Sequence, residues 1–307
     1  MQDQGSASFQ QNPARFIEEF IKARVAESPG NRLFLIDDSA IFDEPLVAFA
    51  DGDDPLFDEY KKLISPLHMT PREVLERSFS ADGEDTKPAI GDIGVICWIL
   101  PIARRTKISN ARRTDWPSLR WGHTREYGER FNDSLRKDVI SLLTEKGYLA
   151  VAPTRSPLFI PLDAQNEPFR LPVGEPWDHT GVLSSTWSEK HACYAAGLGT
   201  FGLHRVLITA RGAAHRCGSV VVNLKLPATP RPYGSPFEYC PFFTDKSCSA
   251  CIDRCPAGCI TAQSVDKVQC DRYGHKENGH LREKYKVGRY GCGLCLTGVP
   301  CESRIPR

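Results

Sequence analysis

Nine of the chain's twelve cysteines fall between Cys240 and Cys301, a density that an apolar core does not explain. They are Cys240, Cys248, Cys251, Cys255, Cys259, Cys270, Cys292, Cys295 and Cys301. Either a metal centre or a disulfide framework is required. Disulfides need an oxidising compartment and are dense chiefly in short secreted chains. This chain has 307 residues and opens on a polar Met-Gln-Asp-Gln-Gly-Ser-Ala-Ser stretch, with no basic segment followed by an apolar one. No secretory signal is read there. Zinc is a further alternative, because Cys248-x2-Cys251 and Cys292-x2-Cys295 are knuckle-like pairs. Four zinc ligands would leave five of the nine cysteines unexplained.

The tightest run, Cys248-Ser-Ala-Cys251-Ile-Asp-Arg-Cys255-Pro256, follows C-x2-C-x3-C-P. Bacterial ferredoxins carry C-x2-C-x2-C-x3-C-P, in which three thiolates hold one cubane and the cysteine before proline reaches the other. Aligned on Cys-Pro, the first ligand position falls on Asp245, and Cys240, on a short loop upstream, is the candidate replacement. The second group ends Val299-Pro300-Cys301 rather than Cys-Pro. Two-cluster pseudo-symmetry then assigns Cys240, Cys248, Cys251 and Cys301 to one [4Fe–4S] cluster and Cys255, Cys270, Cys292 and Cys295 to the other. Cys259 is left over. A turn or two of helix after Pro256 points it inward as a small apolar residue, in competition with Cys270 as a ligand.

The length suits one large domain and one small one, divided at residues 1–235 and 236–307. A net charge of +1 gives no global bias toward nucleic acid or anionic membrane. The most apolar stretch, Ile93 to Leu100, is far short of the roughly 20 residues that span a bilayer. No membrane is expected, and a cytoplasmic setting suits both reduced thiols and clusters.

Along the chain, Pro13 to Val25 carries apolar residues at helical spacing. Residues 37–54, rich in aspartate, read as a solvated loop without the oxygen spacing of a calcium loop. Thr70 and Pro71 open a capped helix. Ile93 to Leu100 reads as a buried strand with Cys97 in the core. Arg104, Arg105, Lys107, Arg112 and Arg113, with Trp116 behind them, form a basic run that suits phosphates, an acidic donor protein or a plain solvated loop. Tyr127 to Lys146 is a helix ended by Gly147. A short strand follows at residues 148–152, and Pro153 to Pro176 is a long loop. Ser188 to Ala196 is a helix, residues 206–209 and 216–223 are strands, and Pro227 to Pro236 is a linker.

Gly197, Gly199 and Gly202 match G-x-G-x-x-G, yet a helix precedes them and a strand follows, the reverse of a dinucleotide site. His191 and His204 are read as structural.

Taken together, Ala195-Ala-Gly-Leu-Gly-Thr-Phe-Gly202, the Cys248–Pro256 run and Tyr290-Gly-Cys292-Gly-Leu-Cys295 resemble the epoxyqueuosine reductase family, which is related to the respiratory reductive dehalogenases. The resemblance is specific over roughly residues 190–300. It implies an α/β (α+β) fold, with a nitroreductase-like corrinoid-binding domain followed by a ferredoxin-like domain of two [4Fe–4S] clusters. It also implies a cobalamin pocket walled by Gly197, Gly199, Phe201 and Gly202, since glycines allow close approach to a large ring. In that family an aspartate before a helix donates a proton to the substrate. Here the comparable stretch reads Gly128-Glu129-Arg130-Phe131-Asn132-Asp133. Arg130 holds the aspartate's place, and Glu129 and Asp133 are the candidate proton donors.

The expected function is an iron–sulfur reductase that passes low-potential electrons to bound cobalamin, for reduction of a small molecule or a corrinoid protein. The donor is a ferredoxin or flavodoxin. One alternative is epoxyqueuosine reduction in tRNA, and another is a ferredoxin-like carrier without corrinoid.

Overall fold

The computed structural model describes residues 9–80, 90–168, 183–274, 279–288 and 291–306. Helix α1 (Pro13–Glu27) starts under Asn12, whose side chain accepts from the Arg15 amide, and buries Ala14, Ile17, Ile21 and Val25. Strand β1 (Leu46–Asp51) is followed by α2 (Leu56–Leu63) and α3 (Pro71–Phe79). A reciprocal capping box between Thr70 and Glu73 opens α3. Strand β2 (Gly94–Pro101) is buried along its whole length. Then come α4 (Arg104–Ala111), the long α5 (Leu119–Glu145) and β3 (Ala150–Val151). The short β4 (Pro161–Leu162) and β5 (Ser184–Ser185) pair with each other. Helix α6 (Glu189–Ala195) leads into the paired β6 (Thr200–Phe201) and β7 (Leu207–Ile208), and then β8 (His215–Val222). The cysteine-rich end holds only short helices, α7 (Pro241–Thr244), α8 (Ala250–Asp253), α9 (Lys267–Arg272) and α10 (His280–Tyr285).

The central sheet runs β1-β2-β8-β3, with every pair antiparallel. The fold is therefore mixed α and β in the α+β sense. Alternation along β2 sends Ile96, Trp98 and Leu100 to the face covered by α1 and α5. Val95, Cys97 and Ile99 go to the face covered by α2, α3 and α6. Both faces are dry, which is why β2 reads as an unbroken apolar run.

The helices at Pro13 and Pro71, the strand from Gly94, the stop at Gly147 (φ +87°) and the buried Cys97 stand as the sequence suggests. Four expectations need correction. The supposed acidic loop contains β1, whose Val47, Ala48, Phe49 and Ala50 pair with residues 95–98 of β2; the aspartates lie only at its ends. The first part of the basic run is not a loop but α4, which carries Arg104, Arg105 and Lys107 and buries Thr106, Lys107 and Asn110; Arg112 and Arg113 follow its end. No helix starts directly after Pro256, because Gly258 turns with φ +61° and Ile260 bridges to Val265. Helix α5 begins at Leu119 rather than Tyr127. Its first two turns lack an aliphatic stripe because they pack on the cysteine-rich end: the His123 ring meets the Tyr285 carbonyl at 2.8 Å and Trp121 Nε1 donates to the Gly291 carbonyl at 2.8 Å. Part of the loop placed at Pro153 to Pro176 lies outside the described residues.

Candidate cluster and cavity site

The cysteines divide between two cavities. The first is small and apolar, lined by Cys240, Cys248, Cys251 and Cys301 together with Leu203, His204, Ile208, Val299 and three prolines. Cys240 precedes α7, and its carbonyl accepts from the Phe243 amide at 2.9 Å, so the chain folds back as the missing first ligand requires. Cys251 is carried by α8. Cys301 is tied to the chain between α6 and β8, where its carbonyl accepts from the Ala213 amide at 2.7 Å and its Sγ lies 3.4 Å from His204 Nε2. Burial, then the neighbouring sulfurs, push Cys251 and Cys301 up to about 12.

The second cavity, of about 370 Å³, is lined by Cys255, Cys259, Cys270, Cys292 and Cys295, with Arg125, Lys190, Arg205 and Lys267 around them. Cys255 and Cys259 are 3.3 Å apart through their sulfurs. The bond from Cys259 and the nearby backbone amides draw Cys255 down to about 5, while the same contact raises Cys259. Burial pushes Cys292 up to about 12. The four sulfurs assigned to the first cluster thus share one cavity, and the four assigned to the second share another. Cys259 joins the second group and touches both Cys255 and Cys270. His204 borders both cavities.

Among the described residues, no three His, Cys, Asp or Glu side chains converge as a single bound ion needs. A cubane makes a different demand, one thiolate at each of four irons around its corners. Four thiols gathered in each cavity, three of them buried in the first, fit that group. Burial, and behind it the repulsion of neighbouring sulfurs, disfavours free thiolates in the first cavity.

The largest cavity, about 710 Å³, abuts the second: Arg125, Lys190, Gly291, Cys292 and Gly293 line both. Its floor is an ion-pair lattice around Arg136, whose side chain is 3% exposed. Arg136 donates to Glu129 at 3.3 Å, to Asp133 at 2.8 Å, to Glu189 at 3.1 Å and to the Cys217 carbonyl at 3.2 Å. Arg216 pairs with Glu129, and Arg155 with Asp133 at 3.4 Å. Both candidate proton donors therefore face the cavity, each held by two guanidinium groups. Arg130 stands apart, paired with Glu126.

The glycine turn is elsewhere. A Cβ on Gly197 would stand 2.6 Å from the Pro230 carbonyl, and one on Gly199 2.2 Å from the Ile208 carbonyl. Their close approach is to the chain's own backbone. Gly202 packs under the His204 ring, and Phe201 stacks with His191 and Tyr194 at 4.8 and 5.7 Å. None of the four lines the largest cavity or the second. Sequence reasoning missed Arg136, Glu189 and Arg216. Arg136 carried a usable signal, since it sits beside Leu135 and before Val139 on the buried face of α5.

No family model matches the sequence. Among curated proteins the chain is 33% identical over 114 residues to a tetrachloroethene reductive dehalogenase of Desulfitobacterium hafniense, covering 36% of this chain and 20% of that protein. It is 29% identical over 132 residues to the epoxyqueuosine reductase of Leadbetterella byssophila, covering 41% and 39%. With the epoxyqueuosine reductase of Bacillus anthracis it is 32% identical over 129 residues, covering 39% and 30%. These matches span at most about two fifths of the relatives' length. Among solved structures, an epoxyqueuosine reductase with a tRNA-Tyr epoxyqueuosine-modified stem loop aligns at TM-score 0.45 and 15% identity, over 84% of this chain and 61% of that one. A selenomethionine-labelled epoxyqueuosine reductase aligns at 0.45 and 16%, over 87% and 66%.

Proposed function

From this sequence relationship to both epoxyqueuosine reductases and reductive dehalogenases, we propose that the protein is an iron–sulfur reductase. Two [4Fe–4S] clusters, held as assigned, pass low-potential electrons to a molecule bound in the largest cavity. The observation that carries this reading is the shared wall: Cys292 and its two glycine neighbours line both the second cysteine cavity and the largest one. Such clusters reach potentials as low as roughly −700 mV, and that is the chemistry they supply. The chain's own part is positional. Lys190 and Arg125 on the shared wall favour negative charge moving through it. Arg136 ties Glu129, Asp133 and Glu189 together at the floor.

Cobalamin is less well matched. The glycines expected to wall it are filled by Pro230 and Ile208, and the largest cavity has a charged floor rather than a flat apolar face. The second reading, reduction of epoxyqueuosine in tRNA with a ferredoxin or flavodoxin as donor, is favoured by the 29% and 32% identities to epoxyqueuosine reductases.

Counting iron, zinc and cobalt in anaerobically purified protein tests all of these together. The proposal expects about eight irons per chain. Saturation at about four overturns the two-cluster reading, and zinc in place of iron overturns it altogether. Stoichiometric cobalt restores the corrinoid. Turnover of epoxyqueuosine-modified tRNA, weakening with salt, establishes the second reading.

A further inference from the structure

Three cysteines lie outside the two cysteine cavities, and they meet on one face of the sheet. Cys97 of β2 pairs with Ser219 of β8, so Cys97 and Cys217 point to the same side. There α6 lays Cys193 in the same buried cluster as Cys97, with Cys217 packed against it. Cys97 and Cys193 are fully buried, whereas Cys217 is partly exposed and lines the largest cavity. His215, also on that wall, places Nδ1 3.7 Å from Cys217 Sγ and Nε2 3.0 Å from the Leu207 carbonyl. A carbonyl only accepts, so Nε2 carries the ring proton and Nδ1 is free to accept from the thiol. A nucleophile, a base and a group that orients the base are thus in place. Contact with Cys193, followed by burial, raises Cys217 well above its ordinary value, so Cys217 rests as the thiol.

We propose that Cys217 and Cys193 form a redox-active dithiol on the wall of the largest cavity, with His215 as its base and a small disulfide as its substrate. Cys217 facing the cavity, the second thiol behind it and the cations Arg155 and Lys190 on the same wall suit a disulfide with an anionic end. His215 Nδ1 takes the Cys217 proton while Sγ attacks one substrate sulfur. The substrate S–S bond breaks, and the leaving thiolate takes that proton, giving a free thiol and a mixed disulfide at Cys217. The Cys193 thiol then attacks Cys217 Sγ, its proton passes to the departing group, and a second thiol leaves. The Cys193–Cys217 disulfide remains. Two electrons and two protons from a low-potential reductant restore the dithiol. Only that return step rests on the clusters of the proposed function, and an external dithiol supplies it equally well.

The test uses cluster-loaded protein under anaerobic conditions, mixed with two equivalents of 2,2′-dithiodipyridine. Released thiopyridone is counted and the cysteines are mapped by peptide mass, with iron counted before and after. The dithiol expects about two thiopyridones per chain, a Cys193–Cys217 linked peptide and unchanged iron. Cys193→Ser stops at about one, with the pyridyl group on Cys217. His215→Gln, whose amide keeps the bond to the Leu207 carbonyl, slows release at least ~10-fold. Modification confined to the nine cysteines from Cys240 onward overturns the proposal, as does an unchanged rate in His215→Gln. Neither outcome bears on the iron count that decides the proposed function.

Discussion

Two groups of cysteines drawn from the same stretch of chain sit in very different surroundings. Around Cys240, Cys248, Cys251 and Cys301 the neighbours are Leu203, Ile208, Val299 and prolines. Around Cys255, Cys270, Cys292 and Cys295 they are Arg125, Lys190, Arg205 and Lys267, and a spare thiol, Cys259. A cluster's potential is set by charge, hydrogen bonds to sulfur and exposure. With the two proposed clusters in place, cations around the second site would stabilise its reduced, more negative state and so raise its potential above that of the first. Electrons would then run downhill from the first site to the second, which is the one that shares a wall with the largest cavity.

The largest effect separates the two groups by their spare parts. The first cavity has no fifth cysteine, so Cys251→Ser should cut iron from about eight to about four per chain. In a redox titration followed by electron paramagnetic resonance, the signal it removes should be the lower-potential one. Cys270→Ser should leave iron near about eight, because Cys259 already touches Cys255 and stands ready at the vacated corner. If Cys259→Ser costs four irons and Cys270→Ser none, Cys259 is the native ligand. If Cys251→Ser removes the higher-potential signal, the direction of flow is reversed.

A smaller effect comes from two glycines, one beside each group. Gly293 has φ +60°, and a Cβ there would stand 1.9 Å from the Trp121 ring. Gly212 has φ +83°, and its Cβ would stand 2.3 Å from the carbonyl of Glu302, next to Cys301. Alanine at either position adds backbone strain to a clash, for roughly 2–4 kcal/mol in urea unfolding. Gly293→Ala should disturb only the signal of the second cluster, and Gly212→Ala only that of the first. Equal disturbance of both signals by either variant would mean that the two sites are one mechanical unit.

The same contrast explains what could be read without a structure. The cysteine spacing already separated the eight assigned residues into the two groups that line the two cavities, since close pairs such as Cys248 and Cys251 constrain a sulfur's position locally. Strand β2 and helix α1 were legible because apolar periodicity is a local signal. β1 was not, because its flanking aspartates outweighed a short apolar run. The largest cavity was legible only through Glu129 and Asp133. Its remaining groups, Arg136, Glu189 and Arg216, come from one helix, a second helix and a strand, joined by ion pairs across 53 to 87 residues of sequence. The glycine pattern misled for a related reason. What fills a glycine's open side is decided by tertiary neighbours, here Pro230 and Ile208.

The smallest effect tests how firmly α4 grips the second site. Asn110, fully buried on α4, donates to Thr297 Oγ1 at 3.0 Å and to the Cys292 carbonyl at 3.4 Å, and accepts from the Ser118 amide at 2.9 Å. One side chain thus joins α4, the cap of α5 and the loop bearing Cys292. Asn110→Ala strands those partners in a dry setting and should cost about 1–3 kcal/mol. Arg15→Ala, which breaks an exposed pair with Glu19, serves as the control and should leave unfolding unchanged. If the grip matters for electron flow as well as for stability, Asn110→Ala should shift the higher of the two midpoint potentials and leave the lower one where it was. A shift in the lower potential alone would place Asn110's influence on the first cavity and undo the contrast between the two sites.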